Sequence, residues 1–178
     1  ALLEQLPAVD LDVKLKVTDA LIVNDDFPLL PSFKTTVEEN YYAAVDNMDF
    51  SDPDQIAARI NEWADRNTDG FINKVIDPVE ISEHAVAYIM NALYFKAKWA
   101  GTEYSPMFRE EATVPADFHL SDGRTIKADM MRNTRYHEYA EMDGYKVLVL
   151  PYARGRFNMY VLLPDENDIE GLLEKLQT

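Results

Sequence analysis

The sharpest chemical pattern in the chain is Asp65-Arg66-Asn67-Thr68-Asp69-Gly70-Phe71-Ile72-Asn73, whose oxygen-bearing side chains fall at alternate positions. It matches a twelve-residue calcium loop at positions one, three, five, six, eight and nine. Position twelve, where a bidentate glutamate closes the calcium shell, is Ile76, and Pro78 opposes an exiting helix. A calcium-binding module at residues 65–76 is therefore the weaker reading, and a turn that ends a helix is the stronger. Other chemistry fails sooner. Ser32, Ser51, Ser82, Ser105 and Ser121 have no Gly-x-Ser-x-Gly context, and His84, His119 and His137 are isolated from one another. Six unclustered glycines make no phosphate loop, and among 32 acids no carboxylate pair stands out. The expectation is no enzyme, no cofactor and no metal.

Composition narrows the partners. A net charge of −15 repels phosphate backbones and anionic lipid headgroups, which argues against nucleic acid and membrane surfaces. No apolar run reaches the roughly 18 residues of a membrane span, and Ala1 is followed by no basic leader. Without cysteine there are no disulfides or thiolate sites, and compartment is left open. At 178 residues, 47% hydrophobic, one domain with its own core is the default.

The elements that would position these residues read as α+β. Val13, Leu15 and Val17 alternate with Lys14, Lys16 and Thr18, a strand over residues 13–23. Leu29, Phe33 and Val37 mark an amphipathic helix over residues 31–42, followed by an extended run over 43–50. Asp52 caps the next helix, with Pro53 in its first turn, a stripe of Ile56, Ile60 and Trp63, and Gly70 at its end. Residues 85–99 are apolar on both alternating faces, which predicts a central strand covered on both sides or else a buried helix, the β-branched and aromatic content mildly favouring the strand. Within it Asn91 must find partners, since an unpaired buried amide costs about 1 to 3 kcal/mol. Asp122-Gly123 and Arg154-Gly155 predict hairpin turns, the latter between extended runs at 145–150 and 157–163. Asn167 and Asp168 precede a helix carrying Ile169, Leu172, Leu173 and Leu176, which runs to Thr178.

Asn91-Ala92-Leu93-Tyr94-Phe95-Lys96-Ala97-Lys98-Trp99 resembles the third strand of sheet A in serpins, with Ala97 where the family usually has glycine. Ile60-Asn61-Glu62-Trp63, followed by Asn67 to Gly70 and Ile72, is similar to the serpin helix F signature, with Phe71 in place of the usual lysine. Tyr42, Ala43, Val45 and Asp49-Phe50 match the strand before it; Met130-Met131, the run 147–152 and Leu162-Leu163-Pro164-Asp165-Glu166 follow in family order.

The resemblance implies a serpin-like partial fold of mixed β-sheets with covering helices, residues 1–178 forming a central fragment of a serpin domain. By the same resemblance Asn91 corresponds to the family's shutter asparagine and Trp99 to its breach tryptophan. The near-calcium loop becomes the turn after helix F. It further implies a full-length parent that inhibits serine or cysteine proteases by suicide-substrate loop insertion, outside the cell or in the periplasm. The reactive centre is not in this chain, so the fragment itself is not expected to inhibit. The alternative is a non-inhibitory serpin used for binding, carriage or scaffolding. Residues 85–98 should also present an unpaired edge roughly 45 Å long, through which the fragment would self-associate.

Overall fold

The computed structural model describes residues 5–103, 105–166 and 168–177, so Ala1, Asn167 and Thr178 lie outside the described residues. The chain forms two compact units, one on residues 5–8 and 14–96 and the other on residues 9–13 and 97–177.

In the first unit, β1 (Val13–Asn24), α1 (Pro31–Tyr41) and β2 (Ala44–Met48) follow in order, and β1 pairs parallel with β2 from Ala20 opposite Ala44 to Asn24 opposite Met48. A parallel pair needs a crossover, and α1 lies in it. Next come α2 (Pro53–Asn67) and β3 (Ala87–Ala97), giving the strand order β2-β1-β3. α2 starts where expected: the Asp52 carboxylate accepts the Gln55 N–H at 3.1 Å, and Pro53 occupies the first turn. Its buried stripe of Ile56, Ala57, Ile60, Trp63 and Ala64 follows helical spacing. Ile22, Phe50, Ile56 and Ile60 make one core; Ala20, Trp63 and Ala64 make a second, and Met90 of β3 packs on both. The helix ends at Thr68, whose N–H and hydroxyl both donate to the Ala64 carbonyl. Gly70, at φ +78°, then donates its N–H to the Asp65 carbonyl at 2.8 Å, a left-handed cap that favours glycine.

The second unit is mostly antiparallel sheet. β4 (Gly101–Thr102) pairs with β5 (Ser105–Pro106), and β6 (Val114–His119) with β7 (Thr125–Met130) through the turn at Gly123. β8 (Glu138–Met142), β9 (Tyr145–Tyr152) and β10 (Phe157–Pro164) form a meander, turning at Gly144 and Gly155, both at positive φ. The last helix, α3 (Ile169–Leu176), begins with the Asp168 carboxylate accepting the Gly171 N–H at 2.9 Å, and it buries Leu172.

One expected helix forms with little cover, and one expectation, at β3, is corrected. α1 forms at its predicted place, but none of its residues is buried and Phe33 stays 47% exposed. Periodicity identifies an apolar stripe without saying what covers it. β3 is likewise a strand, yet it stands at the edge of the described sheet, with Ile89 87% and Leu93 63% exposed. Only one of its faces is covered, by α2 through Met90 and Ala92.

Candidate functional site

β3 turns the even-numbered Tyr88, Met90 and Ala92 toward the cores beneath α2. The odd-numbered Ile89, Asn91 and Leu93 are exposed on the other side. Asn91 is therefore not the buried amide its apolar neighbours suggested. Its Nδ2 donates to the Asp19 carboxylate of β1 at 2.8 Å, a link between neighbouring strands on the open face. A buried and fully engaged asparagine does exist, at Asn24. Only 3% exposed, it donates from Nδ2 to the carbonyls of Glu83 and Ala85, at 3.2 Å each, and accepts the Asp26 N–H on Oδ1. It closes the segment leading into β3 onto the end of β1. A polar residue after the apolar run Leu21, Ile22, Val23 was the available sequence signal.

Residues 65–76 are held by contacts to the rest of the protein. The Asp69 carboxylate pairs with both Lys14 and Lys16 of β1, and Asn67 Nδ2 donates to the Trp63 carbonyl at 2.8 Å. Thr68 Oγ1, buried, accepts the Ile72 N–H at 2.9 Å. Asn61 of α2 holds the far end: its Oδ1 accepts the N–H groups of Val75 and Ile76, at 2.7 and 3.1 Å, and its Nδ2 donates to the Ile76 carbonyl. This triple contact was not read from the sequence. The hydrogen bonds from Lys14, then Lys16, hold the Asp69 carboxyl below its ordinary value, and the bond to Asp69 raises Lys14. A depressed carboxylate stabilises the fold above its unfolded value of about 3.9, and that contribution is lost as pH falls through the lowered value. For Lys14 the contribution holds below the usual lysine value and is lost as pH rises through the raised one.

In the second unit Trp99 is half-buried. Its ring stacks on Tyr152 at 4.6 Å between centroids and 10° between planes, and meets Phe108 edge-on at 5.6 Å. The backbone fixes this stack, because Trp99 bridges Tyr152, the Ala100 N–H donates to Pro151, and the Ala153 N–H donates to Lys98. Beside the aromatic group is an open pocket of about 860 Å³, rimmed by Lys98, Asp12 and Arg154. Arg154 Nε donates to Asp12 at 2.7 Å, which raises the guanidinium pKa. Asp10, buried, accepts the backbone N–H groups of Asp12 and Arg154.

Among the described residues no group of His, Asp or Glu is placed to hold a metal, and no helix is long and apolar enough to cross a membrane. Comparison with known proteins gives one consistent result. The family model "Serpin (serine protease inhibitor)" matches residues 1–178. Serpin-ZX of Arabidopsis thaliana is 34% identical over 169 residues, covering 92% of this chain and 42% of the relative. The Arabidopsis AtSerpin1 structure in its native stressed conformation superposes with a TM-score of 0.83 at 33% identity, over 98% of this chain and 46% of that one. Manduca sexta serpin-12 gives 0.84 at 28% identity, over 96% and 47%. The chain thus spans less than half the length of these relatives. Their family is one of protease inhibitors rather than enzymes. With its whole length matched and its α+β fold shared, the chain belongs to the serpin family.

Proposed function

We propose that the chain is the central part of an inhibitory serpin and supplies the strand beside which a cleaved loop is inserted. The observation that carries this reading is β3, which bears the family's third-strand sequence and, among the described residues, has no strand on the side away from β1. A strand edge presents a row of free N–H and C=O groups that another extended segment can satisfy. In the parent, a target protease attacks an exposed loop and becomes joined to its carbonyl as an acyl ester, releasing the downstream peptide's amine. Insertion of the loop beside β3 then carries the acylated enzyme away before water can cleave the ester. Asn91, bonded to Asp19, serves as the shutter contact between β1 and β3, and Trp99 as the breach tryptophan. Export to the extracellular space or periplasm belongs to the same proposal, on family resemblance alone.

None of the 178 residues resembles the family's Glu- and Ala-rich hinge, so this chain alone is expected to inhibit nothing. The parent is expected to form stoichiometric, covalent complexes with a serine or cysteine protease that survive denaturing electrophoresis. Absence of such complexes across a broad protease panel, with the hinge intact, would favour the non-inhibitory carrier or scaffold instead.

The isolated chain is expected to self-associate through the β3 edge, since a net charge of −15 slows encounter but does not satisfy backbone groups. Light scattering over a range of concentrations checks this. A strict monomer with exchange-protected amides along β3 would remove the edge as the contact.

A further inference from the structure

Residues 69–76, which leave α2 and hold the second part of the near-calcium motif, border a groove of about 530 Å³ together with β3 and with Ile60, Trp63 and Ala64 of α2. Ile72 and Val75 line it from this segment. From β3 the lining includes Ile89 and Leu93 of one face and Met90 and Ala92 of the other. Both faces of a strand reach one groove only along an edge. β1 occupies the other edge of β3, so the groove lies where a further strand would be added. Besides the turn bonds that join its start to α2, from the Gly70 N–H to the Asp65 carbonyl and from the Ile72 N–H to Thr68 Oγ1, the segment is tied at two points of different chemistry. Its far end is held by the neutral side chain of Asn61, through three hydrogen bonds to Val75 and Ile76. Its near end is held by ions: Asp69 meets Lys14 and Lys16, both of which also lie over the Tyr94 ring of β3, at 5.8 and 6.0 Å from its centroid. Between these ties Phe71 is 84% exposed and Ile72 44%, so little apolar burial holds the middle of the segment down.

We infer that residues 69–76 are a strap across the open edge of β3, and that its ionic tie makes entry of a new strand dependent on salt. This rests on the proposed role of β3 as an acceptor edge. The strap bounds the space that an added strand needs at residues 89–93, so the strap must shift for the strand to seat. The neutral tie at Asn61 is insensitive to ionic strength. The tie at Asp69 is partly open to solvent, with Lys14 and Lys16 side chains 55% and 33% exposed, and its attraction is screened over a Debye length of about 10 Å at 0.1 M salt. Loosening the near end costs less as salt rises, and loosening the far end does not change. The near-calcium spacing thus places Asp69 against lysine ammonium groups.

The test follows incorporation of a fluorescein-labelled twelve-residue peptide of alternating Thr and Val by the 178-residue chain, at low and at high sodium chloride. The unmodified chain is compared with Asp69→Asn and with Lys16→Gln, and amide exchange over residues 69–76 is recorded for each. Two exposed ion pairs justify an acceleration of about threefold to tenfold for the unmodified chain between the two salt conditions. Asp69→Asn is expected to reach the fast rate already at low salt and to lose the salt dependence. Lys16→Gln is expected to fall between them, and exchange at residues 69–76 should quicken without a change along α2. Equal incorporation rates in all three chains at both salts would overturn the strap while leaving the acceptor edge in place. If chains that light scattering shows to be monomeric take up no peptide at any salt, the acceptor edge is overturned and the strap with it.

Discussion

Replacing Asn24 by Leu is expected to cost about 2 to 4 kcal/mol, whereas the same replacement at Asn91 should cost less than about 1 kcal/mol. The two residues have the same side chain, both sit in strands of one sheet, and both directly follow apolar residues. They differ in what their removal leaves behind. Leu at position 24 would leave the Glu83 and Ala85 carbonyls and the Asp26 N–H without their partner, at a position 97% shielded from water. It would also free the segment that leads into β3 from the end of β1, although the backbone bond from the Asn24 N–H to the Val86 carbonyl would remain. At position 91 water replaces the amide, because the residue is exposed and its partner, the Asp19 carboxylate, can be solvated. Urea unfolding followed through the helical circular dichroism signal measures both variants. Equal losses would show that exposure does not set the cost, and the assignment of Asn24 as the buried tie would be withdrawn.

The pair also shows where sequence reading succeeds and where it stops. Asp52, Pro53, the stripe through Trp63 and the glycine at 70 specify α2 by local rules, and the helix forms within those limits. The alternation of residues 13–18 and the turn glycines at 123 and 155 are equally local, and both were legible. The Asp143-Gly144 turn between β8 and β9 carries the same signal and was passed over, though nothing long-range obscures it. What sequence could not supply was the identity of neighbours. An apolar run such as residues 86–95 reads the same whether its second face meets a helix or faces water, so Ile89 and Leu93 were assigned cover they lack. Asn61 is a further instance: its spacing from Val75 and Ile76 belongs to no local motif, and only the return of the chain along α2 brings them together. The candidate site was legible to the extent that a family motif spelled it out, at Asn91 and Trp99. The ties at Asn24, Asn61 and Asp69, which arise from long-range contacts, were not.

Gly101→Ala is expected to destabilise the unit on residues 97–177 by about 3 to 4 kcal/mol, and Gly123→Ala by only about 1 to 2 kcal/mol. Both glycines have positive φ, +141° at Gly101 and +84° at Gly123, so any residue with a Cβ pays a conformational cost at either. The difference is space. A Cβ at Gly123 would meet nothing within 4 Å, whereas at Gly101 it would lie 2.8 Å from the Ser105 carbonyl oxygen and 3.0 Å from both the Met107 nitrogen and the Pro106 Cα. All three are backbone atoms, and none can rotate away. They are fixed in turn by the pairing of β4 with β5, by Arg135 donating to the Ser105 hydroxyl and the Pro106 carbonyl, and by the burial of Met107. Relief therefore requires β5 to separate from β4, and Met107 and Phe108 follow directly in the chain. Phe108 supplies the edge contact to Trp99, so the strain is readable at Trp99. The chain has two tryptophans, and Trp63 lies in the other compact unit. In a Trp63→Phe background the near-ultraviolet dichroism therefore reports Trp99 stacked on Tyr152. That signal is expected to weaken in Gly101→Ala and to persist in Gly123→Ala. Equal stability losses with an unchanged Trp99 signal would mean that the β4–β5 turn yields freely, and Gly101 would then hold no geometry around Trp99.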